Sequence, residues 1–186
     1  IEVYYKKNVL ANLRWTHEWI NSYGKYHEYL FLMEKNMNDT LESKNLPLRY
    51  IGFSSAFRRE AGSYGKDTRG IIRVHQFDKV EMVSYVAEGD DDREHEYLLS
   101  MEEKLFQMIG IPYQVVKMCT GDLGFPTARK YDIEAWIPSQ NTYREVTSAS
   151  TITDFQSRRL NIKYTDGKQK KYAQVLNGTA FAIGRT

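Results

Sequence analysis

Two strand-forming runs closed around a glycine-bearing loop set the tightest limit on how this chain can fold. Tyr50 to Arg58 is the first run, and Ile72 to Phe77 continuing into Val80 to Val86 is the second; Gly62, Gly65 and Gly70 lie in the loop between them. Further strands are expected at Ile1 to Tyr5, Tyr29 to Met33, Tyr113 to Met118, Lys130 to Trp136, Arg144 to Ala149 and Tyr172 to Leu176. Helical patterns cover Asn8 to about Tyr23, Asn38 to Lys44 ahead of the stop at Leu46-Pro47, and a short stretch from Thr153 to Asn161. A longer helix opens on Asp90-Asp91-Asp92, which suits the positive end of a helix dipole, and stops at Gly110 and Pro112. It is expected to turn Leu98, Met101, Leu105, Met108 and Ile109 to the core. Many neighbouring strands with so few helices predict an α+β domain, not alternating βαβ units. Asp166-Gly167, inside a lysine-rich stretch, marks a hairpin turn with a solvated tip.

At 186 residues and 41% hydrophobic content, one domain with a sizeable core is expected. A net charge of +2 without any block of basic residues excludes a dedicated polyelectrolyte binder. The lone Cys119 rules out an internal disulfide and a cysteine-built zinc site, and fits a reducing compartment. No apolar run approaches the ~20 residues that span a bilayer. Ile1 to Lys7 does not resemble a signal peptide. The expectation is a soluble, cytoplasmic chain.

Chemistry concentrates around the glycine-bearing loop. Phe57-Arg58-Arg59-Glu60-Ala61-Gly62, Arg73-Val74-His75-Gln76-Phe77 and Lys79-Val80-Glu81 place spaced arginines, an aromatic ring and two carboxylates together. Arginine forks match phosphate and carboxylate oxygens better than lysine does. An aromatic face can stack a purine, and a carboxylate can hold an ammonium group. Neither a G-x-x-x-x-G-K-[ST] loop nor a G-x-G-x-x-G turn after a strand is present, so a nucleotide would be gripped by arginines on strands.

The stretch from Leu46 to Glu81 resembles motif 2 of class II aminoacyl-tRNA synthetases, specifically the seryl family. Thr120-Gly121-Asp122-Leu123-Gly124-Phe125, Tyr131 to Trp136 and Arg144-Glu145-Val146-Thr147-Ser148 resemble the family's central active-site strands. Asn161 to Tyr164, and Leu176-Asn177-Gly178-Thr179-Ala180 through Gly184-Arg185-Thr186, are similar to its approach to motif 3. The resemblance implies a mostly antiparallel sheet flanked by helices, in a single catalytic core spanning residues 1–186. The activity it implies is ATP-dependent activation of serine to seryl-adenylate and ligation to tRNA, with ATP as substrate, Mg²⁺ as cofactor and a homodimer built through motif 1.

By the same resemblance, Arg58 bridges the substrate carboxylate and the α-phosphate, Arg73 meets the far end of a bent triphosphate, and Arg185 lies on the γ-phosphate side. Phe77 stacks the adenine and Glu60 helps to position the nucleotide; Glu145 and Ser148 hold Mg²⁺ and phosphate oxygens. Glu81 and Thr179, with Asn177 and Arg58, form the serine pocket. Two anions must approach each other in this reaction, so fixed cations and positioning supply the catalysis and no covalent nucleophile is required. The family's upstream Thr-x-Glu contact stays open among His27-Glu28-Tyr29, Glu34 and Ile1-Glu2-Val3, of which the last looks more like the motif 1 strand. The family's long helical tRNA-gripping arm has no counterpart, and motif 3 begins only at the end of the sequence, so weak tRNA recognition by this stretch is expected.

Other residues receive structural readings. His75 is expected as a hydrogen-bonded core histidine; His17, His27 and His95 have no metal-ligand spacing to Cys119, which is read as a small buried hydrophobe. Trp15, Trp19 and Tyr23 are read as packing, and Glu102-Glu103 as a solvated helix face. Two alternatives to the serine–tRNA ligase stay open: a paralogue that loads an amino acid onto a carrier protein, and a non-catalytic nucleotide- or amino-acid-binding paralogue.

Overall fold

A computed structural model describes residues 2–4 (backbone only), 40–58 and 70–186. The expectations for Asn8 to Tyr23, Tyr29 to Met33, Trp15, Trp19, His17, His27, Glu34 and Glu60 lie outside the described residues. A seven-stranded sheet forms the centre. Its strands are β1 (Glu2–Tyr4), β3 (Leu48–Phe57), β4 (Gln76–Val86), β5 (Tyr113–Lys117), β6 (Arg129–Ile137), β7 (Thr142–Thr151) and β10 (Gln174–Ala182). They lie in the order β1-β3-β4-β10-β7-β6-β5. Only β1 and β3 run parallel; every other neighbour pair is antiparallel. A three-stranded sheet joins β2 (Leu41–Glu42), β8 (Lys163–Asp166) and β9 (Gln169–Tyr172). The α+β class and the antiparallel sheet stand as expected.

Helix α1 (Asp91–Ile109) packs under one face of the large sheet. Asp91, Asp92 and Glu94 place negative charge in its first turn, and Gly110 ends it in the left-handed region at φ 70°. The buried face differs from the expected one. Glu94, His95, Leu98, Leu99, Glu102 and Phe106 are buried, whereas Met108 is 73% and Ile109 49% exposed. The polar members of this face all find partners on the strands. Arg49 grips Glu94 with two bonds of 2.7 and 2.8 Å, and Ser84 Oγ donates to the same carboxylate at 2.7 Å. His95 bonds Ala149 O, and Thr147 Oγ1 donates to Glu102. Counting apolar residues alone therefore rotates the helix away from its true seat, and Glu102 is not on a solvated face.

Among the described residues, the opposite face is covered toward one end. Val83, Tyr85, Ile152, Ile162, Tyr164, Ala173 and Val175 form a core there beside α2 (Phe155–Leu160) and the small sheet. Asp166 pairs with Gln169 across the expected turn, with Gly167 at φ 61°. Three further expectations change. Leu41–Glu42 is a strand pairing with β8, followed by a single 3-10 turn at Ser43–Asn45, in place of the expected helix. Ile72 to His75 is not strand: Arg58 N donates to His75 O at 2.8 Å, and the β3–β4 ladder starts at Phe57 and Gln76. Ala173 interrupts Tyr172 to Leu176, separating β9 from β10. No described helix is long and apolar enough to cross a membrane.

Candidate active site

Beyond that core, the same face of the sheet carries predicted residues of β4, β10 and β7. Along β4, Phe77, Lys79 and Glu81 alternate outward on the side that Val83 and Tyr85 extend into the second core. At ~3.4 Å per residue, Phe77 and Glu81 stand about 14 Å apart, and two strand spacings of ~4.8 Å carry the face across β10 to β7. Those dimensions suit a nucleotide and a small amino acid laid end to end.

At the outer end, Arg58, Arg73, Phe77, Glu145 and Arg185 line one cleft together with Arg144 and Ile71. The cleft holds about 110 Å³. That is below the roughly 300–1,000 Å³ of enclosed small-molecule pockets. Arg58 stands 5.3 Å over the Phe77 ring, a cation–π arrangement that aligns guanidinium and aromatic faces. His75 is exposed, not core; its Nδ1–H donates to Arg58 O at 3.0 Å, so it pins the arginine's backbone. Arg185 Nε donates to Val146 O at 3.3 Å, tying the end of β10 to β7. Arg144, a further cleft cation, was missed by the sequence reading. Its position beside Glu145 was the available signal.

At the inner end, Glu81, Lys79 and Thr179 form a buried polar set. Thr179 faces Glu81 across the β4–β10 ladder and donates from Oγ1 to Glu81 Oε2 at 3.0 Å. Lys79 Nζ lies 2.7 Å from the same oxygen, with both side chains under a tenth exposed. Lys79 was also missed, although its two-residue offset from Glu81 places both on one strand face. Asn177, two residues before Thr179, is 4% exposed, and its Oδ1 has no hydrogen-bond partner among the described residues.

Glu145 and Ser148 meet through a bulge. Three residues apart, they would point to opposite faces of a regular strand. Ile133 pairs with Thr147 and Glu134 with Glu145, so Val146 is an extra residue and the strand changes phase there. Ser148 faces Asp132, and Glu145 faces Glu134, two residues on along β6. Both therefore share the face opposite α1. Lys130 Nζ contacts Asp132 at 2.7 Å and reaches Glu145 at 3.8 Å. Burial, then the Glu145 charge, push the Asp132 carboxyl up to about 6, against the pull of Lys130. Among the described residues, no three His, Cys, Asp or Glu side chains are placed to hold a metal ion together. A divalent ion here would complete its shell with oxygens from water or a bound phosphate. Cys119 is exposed and donates to Asp122 Oδ2 at 2.9 Å, which corrects its buried reading.

The chain that carries this cationic cleft resembles known proteins in sequence and in fold. The family model for the tRNA synthetase class II core domain (G, H, P, S and T) matches residues 28–186. The chain belongs to that family. Within the class II core group it is 54% identical over 151 residues to serine–tRNA ligase 1 of Streptomyces avermitilis, covering 81% of this chain and 36% of the relative. It is 59% identical over 144 residues to the serine–tRNA ligase of Thermobifida fusca, covering 76% and 34%. The seryl-tRNA synthetase of Pyrococcus horikoshii complexed with ATP superposes with a TM-score of 0.79 at 51% identity, over 83% of this chain and 35% of that one. The cytoplasmic serine–tRNA ligase of Naegleria fowleri in complex with AMP gives 0.75 at 37% identity, over 83% and 37%. The class II core described here thus spans about a third of the length of the relatives it matches.

Proposed function

We propose that this chain is the catalytic core of a serine–tRNA ligase, a single unit that activates serine with ATP to seryl-adenylate and passes the seryl group to tRNA. The observation that carries the serine reading is the Thr179–Glu81 hydrogen bond within a buried polar cluster on the same face of β4 as Phe77. Glu81 receives the serine ammonium and hydroxyl, Thr179 and Asn177 line the hydroxyl's side, and a larger side chain meets the strand floor. Phe77 stacks the adenine, Arg58 bridges the serine carboxylate and α-phosphate, and Arg73 and Arg185 take the outer phosphates. The relatives crystallised with ATP and AMP support this assignment of the cleft.

Glu145 and Ser148 fit a Mg²⁺ ion, because the bulge aims two hard oxygen donors at the phosphate side and this ion commonly combines one or two protein oxygens with substrate phosphates. Bound there, it would neutralise charge on the leaving pyrophosphate. Arg58 does the positioning: it holds both reacting anions at one fork, so the serine carboxylate can attack the α-phosphorus while pyrophosphate departs. A cytoplasmic homodimer completes the reading, supported by the single cysteine and by the resemblance to a family that pairs through motif 1.

Amino-acid-dependent pyrophosphate exchange against a panel of amino acids tests the proposal. Exchange with serine alone is expected. Exchange with glycine or alanine instead would point to the carrier-protein ligase, and absence of exchange with saturable ATP binding would point to a non-catalytic paralogue.

A further inference from the structure

The strands that carry the amino-acid pocket have an acidic support on their far side. Gly178, between Asn177 and Thr179, faces α1, and having no side chain of its own it leaves the space beneath it to Glu102, Met82 and Leu98. A Cβ on residue 178 would stand 3.0 Å from Glu102 Oε1, 3.2 Å from Met82 Cε and 3.7 Å from Leu98 Cβ. The other oxygen, Oε2, is bonded to Thr147 Oγ1 on the adjacent strand at 3.1 Å. Glu102 is 0% exposed, and Oε1 has no hydrogen-bond partner among the described residues.

A leucine would fill this place without desolvating a carboxyl. What a leucine lacks is an oxygen for Thr147 and a flat head thin enough to lie against the glycine backbone. Building on the serine reading above, we propose that Glu102 is a positioning residue for the amino-acid pocket. Its carboxyl, braced between Thr147 on β7 and Gly178 on β10, sets the height of the Asn177–Thr179 segment and so the direction in which Thr179 Oγ1 meets Glu81. Burial foremost, with the Glu81 and Asp132 charges adding and the Thr147 bond and Lys79 opposing, holds the Glu102 acid well above the ordinary carboxylate range. A neutral carboxyl can rest behind the pocket without adding charge to it.

The brace predicts that shape matters and charge does not. Glu102→Gln keeps a planar head and a partner for Thr147, whereas Glu102→Ala removes both. Backbone amide resonances of Asn177, Gly178, Thr179 and Glu81, compared by NMR without substrate, are expected to shift in E102A and to stay in place in E102Q. In pyrophosphate exchange, E102A should raise the serine KM about tenfold, the scale of one misdirected hydrogen bond, with the ATP KM unchanged. E102Q should restore the serine KM. If E102A does not fold, Gly178→Ala in the parent supplies the second perturbation: its methyl must displace Glu102 and move the Thr147 and Thr179 amides. The proposal is overturned if E102A or G178A leaves those amides where E102Q leaves them, or if the serine and ATP KM values rise together. The amide comparison needs no turnover, so it stands or falls separately from the seryl-adenylate reading.

Discussion

Replacing Thr179 with valine isolates one hydroxyl in the proposed serine pocket at nearly constant volume. In the parent, Thr179 Oγ1 donates to Glu81 Oε2 at 3.0 Å, and Lys79 Nζ approaches the same oxygen at 2.7 Å. Without the hydroxyl, Glu81 keeps its lysine, so no buried charge is stranded. The loss of stability should therefore be that of an ordinary neutral hydrogen bond, about 1 kcal/mol, or some 2–4 °C in melting temperature for a chain of this size. Binding is more exposed to the change. Glu81 would be free to rotate toward Lys79, and the serine hydroxyl would face a methyl group where it had a partner. A hydrogen bond to a charged group contributes roughly 1.5–3 kcal/mol, so kcat/KM for serine should fall about 10- to 150-fold. Alanine has no hydroxyl to lose and should slow less, through the shared ammonium contact at Glu81 alone, so serine-over-alanine selectivity falls as well. Pyrophosphate exchange with each amino acid, beside thermal unfolding of both proteins, provides the measurement. Unchanged serine exchange in a folded T179V protein would refute the role of the Thr179–Glu81 pair in selection.

Three other expectations concern different parts of the chain. Arg58→Ala should lower adenylate formation at least about 10²-fold in exchange assays, and Arg58→Lys should recover little, because a point charge cannot bridge two anions as a fork does; near-normal exchange in R58A would remove the assignment. Glu94→Ala breaks both Arg49 bonds and the Ser84 bond that together join α1 to β3 and β4. Discounted for the partial exposure of Arg49, its cost should be about 2–4 kcal/mol, readable in urea unfolding, and a change within error would count against this clamp. His95 accepts from Arg129 Nε at Nδ1 and so carries its proton on Nε2, which donates to Ala149 O. Burial first, and the Arg129 charge after it, lower its pKa from the usual 6.5, although the Ala149 bond and the Glu96 and Asp92 charges oppose this. The unfolded chain then binds the proton more readily, so this stabilising contribution is present above pH 6.5 and is lost as pH falls through the lower folded value. The parent's melting temperature should drop more than that of His95→Gln between pH 7.5 and 5.5, and parallel curves would exclude His95 as the cause.

Strand positions were legible because they depend on local pattern: β3, β6, β7 and the Asp166-Gly167 hairpin fall close to where alternation and turn chemistry place them. The cleft was legible through motif spacing, since Arg58, Arg73, Phe77, Glu145 and Arg185 do come together. What escaped the sequence depends on partners distant in the chain. Glu94, His95 and Glu102 look like solvent-facing residues until Arg49, Ala149 and Thr147, each 45 or more positions away, are brought beneath them. His75 and Cys119 were misread as buried for the converse reason: each has a polar neighbour close by that keeps it satisfied at the surface. Lys79 was overlooked because a buried lysine is rare unless paired, and its pairing with Glu81 becomes visible only once the strand face is known.

The bulge at Val146 gives β7 one residue of slack, and a second irregularity between Thr179 and Phe181 gives β10 the same. On a strictly alternating strand, gaining or losing one residue turns every following side chain over. At Val146 the bookkeeping differs: deleting that residue leaves Glu145 beside Thr147, and Glu145 and Ser148 still look out on the same side, now two positions apart. Separation along the chain is thus a poor fingerprint of this pair, and a search for relatives that insists on three would pass over sites of identical geometry. The same slack marks Val146 as a place where a one-residue deletion should trim the core without reordering the face that carries Glu145 and Ser148.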